Sequence, residues 1–179
     1  MSDAIAALEA IDADNGDLLC VVETSKGSRN KYSFNAKLSV FELKKTLPRG
    51  MSFPYNFGFI PATIGGDGDP LDVLILDDEP APTGALIRIR AIGAIEAQER
   101  ESEGEWFRND RLIGVAKHSA GPARLYDIEP RLLDEIEAFF HDYLAREGKT
   151  FQPLRRSGPE GALQLVEAGR RRRESSAFA

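Results

Sequence analysis

In Asp67-Gly68-Asp69-Pro70-Leu71-Asp72-Val73-Leu74-Ile75-Leu76 an acidic turn runs straight into an apolar strand. Asp and Gly favour chain reversals and Pro opens them, and the aliphatic run after Asp72 reads as a strand. Like charges crowded at a strand entrance repel one another unless a cation sits between them. Oxygen-only ligands of this kind suit a hard ion, Mg²⁺ or Mn²⁺. The same residues would also make an ordinary Asp-rich turn. A calcium EF-hand is excluded, because counting from Asp67 the sixth position, which must be Gly, is Asp72.

On either side of this stretch lie further short β-favouring runs: Leu18 to Thr24, Lys31 to Phe34, Val40 to Leu43, Phe57 to Ile60, Leu86 to Ala97 and Arg111 to Lys117. Turn signals at Lys26-Gly27-Ser28, Pro48-Arg49-Gly50 and Pro80-Ala81-Pro82-Thr83-Gly84 separate them. The count predicts a small, mostly antiparallel barrel or curled sheet. After Pro130 the period changes. Leu132, Leu133, Ile136, Phe139, Phe140, Tyr143 and Leu144 recur at helical spacing, and a second helix is expected from about Pro159 to Ala168. The class is α+β. The first fifteen residues read as a short amphipathic helix or a frayed end.

With 179 residues and 42% of them hydrophobic, the chain suits one domain with an ordinary core. It carries 29 acidic and 23 basic residues, a net charge of −6, and Arg170 to Arg173 concentrate four of the basic ones. An acidic body disfavours nucleic acid as a partner. No apolar run approaches the ~20 residues of a membrane span, and the N-terminus lacks a secretory pattern. The lone Cys20 forms no intrachain disulfide, and a cytoplasmic location is expected. His118 and His141 have no paired spacing for zinc and read as surface residues; Trp106 reads as a loop anchor.

Phe53-Pro54-Tyr55-Asn56-Phe57-Gly58-Phe59-Ile60-Pro61, followed by the acidic turn, resembles the signature region of soluble inorganic pyrophosphatases of the barrel-fold type, the family I inorganic diphosphatases. Upstream, Val22-Glu23 and Lys26 to Tyr32 resemble the family's first hairpin. Downstream, Pro82 to Ala85, Arg90 to Gly93, Asn109 to Ala116 and Phe139 to Tyr143 continue the likeness. It covers residues 17–168, leaving 1–16 as an N-terminal extension and 169–179 as an Arg-rich tail expected to be dispensable for hydrolysis.

The resemblance implies a five-stranded OB-like β-barrel flanked by helices and Mg²⁺-dependent hydrolysis of pyrophosphate to two phosphates, with Mn²⁺ as a substitute ion. It also implies a homo-oligomer, commonly a hexamer. Carried over residue by residue, Asp67 and Asp72 hold metal and Asp69 handles the proton of the attacking water. Glu23 is the acidic residue beside the metals, and Lys31, Lys45, Arg111 and Tyr143 bind phosphate. Glu99 stands for a further metal ligand. In Asn109-Asp110-Arg111, strict spacing puts Asn109 at another ligand position, and Asp110 reaches it only through a bulge; Asp110 is the ligand candidate.

The chain departs from the family at Ser33 for Glu, Lys45 for Arg, Phe53 and Phe57 for Tyr, and Leu144 for Lys. Two other readings stand beside the pyrophosphatase. One is a hydrolase of the same fold with another phosphoanhydride preference or weak activity. The other is a non-catalytic OB-type binding module, against which the three retained Asp residues count.

Overall fold

The computed structural model describes residues 4–177. In chain order the elements are β1 (Leu18–Thr24), β2 (Asn30–Asn35), β3 (Val40–Thr46), β4 (Asn56–Phe59), β5 (Asp72–Ile75), β6 (Leu86–Glu101), β7 (Phe107–Arg108) and β8 (Arg111–Ala116). A 3-10 turn at Leu125–Asp127, α1 (Pro130–Ala145), β9 (Lys149–Ser157) and α2 (Pro159–Ala177) complete the chain.

Strands β1, β4, β5, β8 and β6 hydrogen-bond in that order, and β6 pairs back onto β1, so five strands close into a ring. The neighbours are antiparallel except β5 and β8, which run parallel with Asp72 opposite Arg111. The architecture is thus the α+β class expected, a five-stranded ring with two helices.

Strand alternation explains why Val73-Leu74-Ile75 reads as unbroken aliphatic sequence. Val73 and Ile75 join an apolar cluster with Leu18, Cys20, Leu112 and α2's Ala162 and Val166, whereas Leu74 enters a second cluster with Phe53, Phe57, Ile113 and α1's Ile136 and Phe140. A strand with both faces covered has no polar side to show. The hairpin β2–β3 stands apart from the ring as its own two-stranded sheet.

Two bulges re-aim side chains. In β1 the pairing with β4 skips Glu23, between Val22 opposite Gly58 and Thr24 opposite Phe57. The backbones approach so closely there that a Cβ on Gly58 would lie 2.1 Å from the Val21 carbonyl oxygen. In the hairpin the register slips between Lys31 and Tyr32, which leaves Lys31 directly opposite Lys45.

The structure corrects several sequence expectations. Strand β9 was not foreseen: Pro153 and a charged composition hide it, and Phe151 is its one buried residue. Pro is tolerated because β9 lies outside the ring, on the second half of β6, where the register slips next to Pro153. Strand β6 runs to Glu101, past the expected end, to make that pairing and the one with β7. Helix α2 continues through Arg170–Arg173 to Ala177, with Gly169 buried. Near the N-terminus, neither a helix nor a frayed end describes residues 4–16. A turn leads to buried Ala10, Ile11 bridges to Leu18, and Arg88 donates twice to Asp12 Oδ2, at 2.9 and 2.7 Å. Residues 1–3 and 178–179 of the expected extension and tail lie outside the described residues.

Candidate active site

Between the ring, the β2–β3 hairpin and the C-terminal end of α1 lies a cleft of about 1070 Å³. Its acidic side is built from β1, the loop before β5, and β5 itself. The loop is tightly tied: Gly65 N–H donates to the Asp69 carbonyl at 2.6 Å, and Asp69 N–H to Asp67 Oδ1 at 3.1 Å. Thr63 Oγ1 donates to the Ile60 carbonyl and accepts the Leu71 amide. These bonds leave Asp67 and Asp69 at the cleft rim and Asp72 deeper, at the mouth of β5. Glu23, re-aimed by its bulge, is buried and accepts the Phe34 amide at 2.7 Å.

Burial raises the pKa of Glu23, of Asp67 and of Asp72, the last to about 7. For Asp72, Arg111 and Lys31 oppose the rise while Asp67 and Glu23 reinforce it. Carboxylates held where their charged forms are disfavoured are a natural seat for a cation. Among the described residues no three His, Cys, Asp or Glu side chains converge as a ready-made ligand cage.

The opposite side is cationic. Lys31 and Lys45 face each other across the hairpin ladder, an arrangement that repels unless something anionic joins them. Meanwhile Lys31 rests over the Phe57 ring at 4.7 Å and Lys45 over Tyr143 at 4.1 Å, with Glu147 as the ion-pair partner of Lys45. Burial, then Lys31 and Lys149, push the Lys45 pKa down to about 8. Burial also pushes the Tyr143 hydroxyl up.

Arg111, 3% exposed, forms the floor. Its Nη2 donates to Glu99 Oε1 and its Nη1 to the Asn109 carbonyl at 3.0 Å. The guanidinium lies over the Phe140 ring at 4.1 Å, and Nε, 3.9 Å from Asp72 Oδ2, is buried without a hydrogen-bond partner. A buried guanidinium N–H left without a partner is costly, and Asp72 Oδ2 is the oxygen the structure places nearest to it.

The cleft therefore brings together Glu23, Lys31, Lys45, Asp67, Asp69, Asp72, Glu99, Arg111 and Tyr143. Asp110 is not among them. Its carboxylate turns away to accept the Ala97 amide at 3.0 Å and Arg108 Nη2 at 2.6 Å, because alternation into β8 sends Asn109 and Arg111 inward and Asp110 outward. No bulge reverses that order. Glu99 is committed to Arg111 and to Asn109 Nδ2 at 3.1 Å. Ser33, Phe53, Phe57 and Leu144, where the chain departs from the family pattern, all line the cleft. Glu147, in the turn just after α1, and Lys149, at the start of β9, line it too and were not singled out from the sequence.

The family model for inorganic pyrophosphatase matches residues 20–174. An inorganic pyrophosphatase of Nostoc is 35% identical over 142 residues, covering 78% of this chain and 81% of that one. Soluble inorganic pyrophosphatase 3 of Arabidopsis thaliana is 38% identical over 132 residues, covering 72% of this chain. The chain spans 59% of that plant relative's length. Among solved structures, an inorganic pyrophosphatase from Neisseria gonorrhoeae superposes with a TM-score of 0.84 at 28% identity, covering 95% of this chain and 98% of that one. The one from Thermus thermophilus gives 0.82 at 27% identity, with the same coverage.

Proposed function

This chain belongs to the inorganic pyrophosphatase family, and on that premise we propose how its residues divide the hydrolysis of pyrophosphate to two phosphates. The observation that carries the reading is one cleft with carboxylates on one wall and, facing them, Lys31 opposed to Lys45 above the unsatisfied Arg111 Nε. Pyrophosphate is a polyanion, and it can join the two lysines from the open side of the cleft while the carboxylate wall seats the cation that accompanies it.

The family is metal-dependent, and the oxygen donors here fit Mg²⁺, with Mn²⁺ as a substitute. Asp67 and Asp72 would hold the cation, which would screen phosphate oxygens and make a water more acidic. Asp69, on the exposed turn between them, takes the proton of the attacking water. Glu23, pinned by the Phe34 amide, keeps a fourth carboxylate on the same cleft. Lys31, Lys45 and Arg111 bind the phosphate oxygens and offset the charge that builds on the leaving phosphate. Tyr143 presents its hydroxyl from α1 and stacks the Lys45 ammonium. Glu99 is better read as the partner that holds Arg111 in place than as a metal ligand.

A cytoplasmic homo-oligomer belongs to this proposal as well. Relatives named as soluble pyrophosphatases support the first part, and the exposed Leu38, Val40 and Leu43 on the β2–β3 hairpin support the second. Among the described residues no helix is long and apolar enough to cross a membrane.

The deciding experiment is phosphate release from pyrophosphate with and without Mg²⁺, beside a nucleoside triphosphate and a simple phosphomonoester. Mg²⁺-dependent release from pyrophosphate well above the other two is expected. Release favouring the triphosphate would replace pyrophosphate by another anhydride, and none from any substrate would leave a binding module.

A further inference from the structure

The acidic loop between β4 and β5 is held from outside the ring by a segment that reads in sequence as a solvated tail. Ile64 sits three residues before Asp67, and both of its backbone groups are tied to the last part of α2. Its N–H donates to the Gly169 carbonyl at 3.0 Å, and its carbonyl accepts Arg172 Nε at 2.7 Å. Gly169 is buried against the same loop: a Cβ there would meet Leu71 Cδ1 at 2.9 Å, Thr63 Cβ at 3.1 Å and the Ile64 carbonyl oxygen at 3.3 Å. The neighbouring arginines are occupied on the helix itself, Arg170 and Arg171 each bonding Glu167 at 3.2 Å.

The far side of the loop rests on Arg108. A Cβ on Gly66 would lie 2.5 Å from Arg108 Cβ, and Arg108 is braced by Asp110 and Glu96. The loop also contains Ala62 at φ 51°, a left-handed conformation that a non-glycine residue keeps only when its surroundings hold it. With Arg108 on one side and α2 on the other, the spacing of Asp67 and Asp69 relative to Asp72 depends on both supports.

We propose that the C-terminal part of α2 is a clamp on the acidic loop, with Arg172 as a positioning residue that sets the carboxylates for the divalent cation. The proposal rests on the reading that Asp67 and Asp72 hold that cation. An ionised donor on a backbone carbonyl is among the stronger protein hydrogen bonds, and Arg172 delivers it from an exposed side chain whose loss leaves no buried cavity. The clamp therefore acts on the loop rather than on global folding.

The test uses the full chain with Arg172→Ala, Arg172→Lys and Gly169→Ala. In metal-free buffer, Arg172→Ala should melt within about 2 °C of wild type, as surface substitutions do. Its amide exchange across residues 64–71 should quicken about tenfold, the size expected for losing one charged hydrogen bond. The Mg²⁺ concentration needed to reach a given rise in melting temperature should increase about three- to tenfold. Arg172→Lys, which can still donate to the Ile64 carbonyl, should recover most of both effects. Gly169→Ala, which pushes the same loop directly, should reproduce them without touching the arginine. Unchanged exchange over residues 64–71 in both Arg172→Ala and Gly169→Ala overturns the clamp, as does a lysine variant no better than alanine. If wild type itself shows no Mg²⁺-induced rise, the metal reading fails separately, and the exchange data still judge the clamp.

Discussion

Glu99→Gln separates the two roles open to this residue. Glu99 and Arg111 form an ion pair whose side chains are 2% and 3% exposed, and the guanidinium's other polar neighbours are the Asn109 carbonyl at 3.0 Å and, more distantly, Asp72 at 3.9 Å. Removing one partner of a buried pair costs about 3–5 kcal/mol, because the other charge is left without compensation. Asp72 offsets part of that, so the loss should fall near the lower end, about 3 kcal/mol. At roughly 2–4 °C per kcal/mol for a chain of this size, the melting temperature should drop by about 6–12 °C. The measurement is urea and thermal unfolding in metal-free buffer. Glu99→Gln combined with Arg111→Met removes both charges, and its cost should fall short of the summed single losses by at least about 1.5 kcal/mol. A Glu99→Gln protein within about 1 kcal/mol of wild type without metal, yet with weakened Mg²⁺ binding, would refute the ion-pair reasoning and restore Glu99 as a ligand.

Asp69→Asn keeps the size and polarity of the side chain on an exposed turn, so the fold should persist while turnover falls by ~10²- to 10⁴-fold in steady-state phosphate release. Lys31→Ala should lower kcat and raise KM together, because a phosphate-binding cation acts on bound substrate as well as on the transition state. The Lys45 pKa, lowered by burial to about 8, implies that the ammonium is present below that pH and lost above it. The alkaline limb of kcat/KM should therefore begin near pH 8 and move upward in Lys45→Arg, whose guanidinium stays charged; an unmoved limb would assign it to another group.

What could be read before the structure was what is encoded locally. The acidic turn and the strand after it need only turn chemistry and a short aliphatic run, and the face of α1 from Leu133 to Tyr143 needs only the 3.6-residue period. What escaped depends on partners distant in sequence. Strand β9 buries only Phe151 and contains Pro153, so nothing local marks it; β6 gives it its register. Helix α2 appeared to end near Ala168 because Gly169 and four arginines look like a break and a solvated run. Gly169 lies close against Leu71 and Thr63, which a side chain there would have to push aside. Asp110 was selected for its chemistry, while alternation into β8 put Asn109 in the cleft instead.

The closed ring also sets an order of events during synthesis. Leu18 of β1 must wait for Ile89 of β6, and Asp72 of β5 for Arg111 of β8, before the ladder can shut. Such distant pairings form late, since the intervening chain has to be ordered first. A nascent chain that has emerged only as far as β5 already exposes Asp67, Asp69 and Asp72, but it lacks Arg111, Tyr143 and the α2 contact to Ile64. A chain that ends before β8 lacks Arg111 and one that ends before α1 lacks Tyr143, so the appearance of phosphate from pyrophosphate during translation would time the arrival of those later elements.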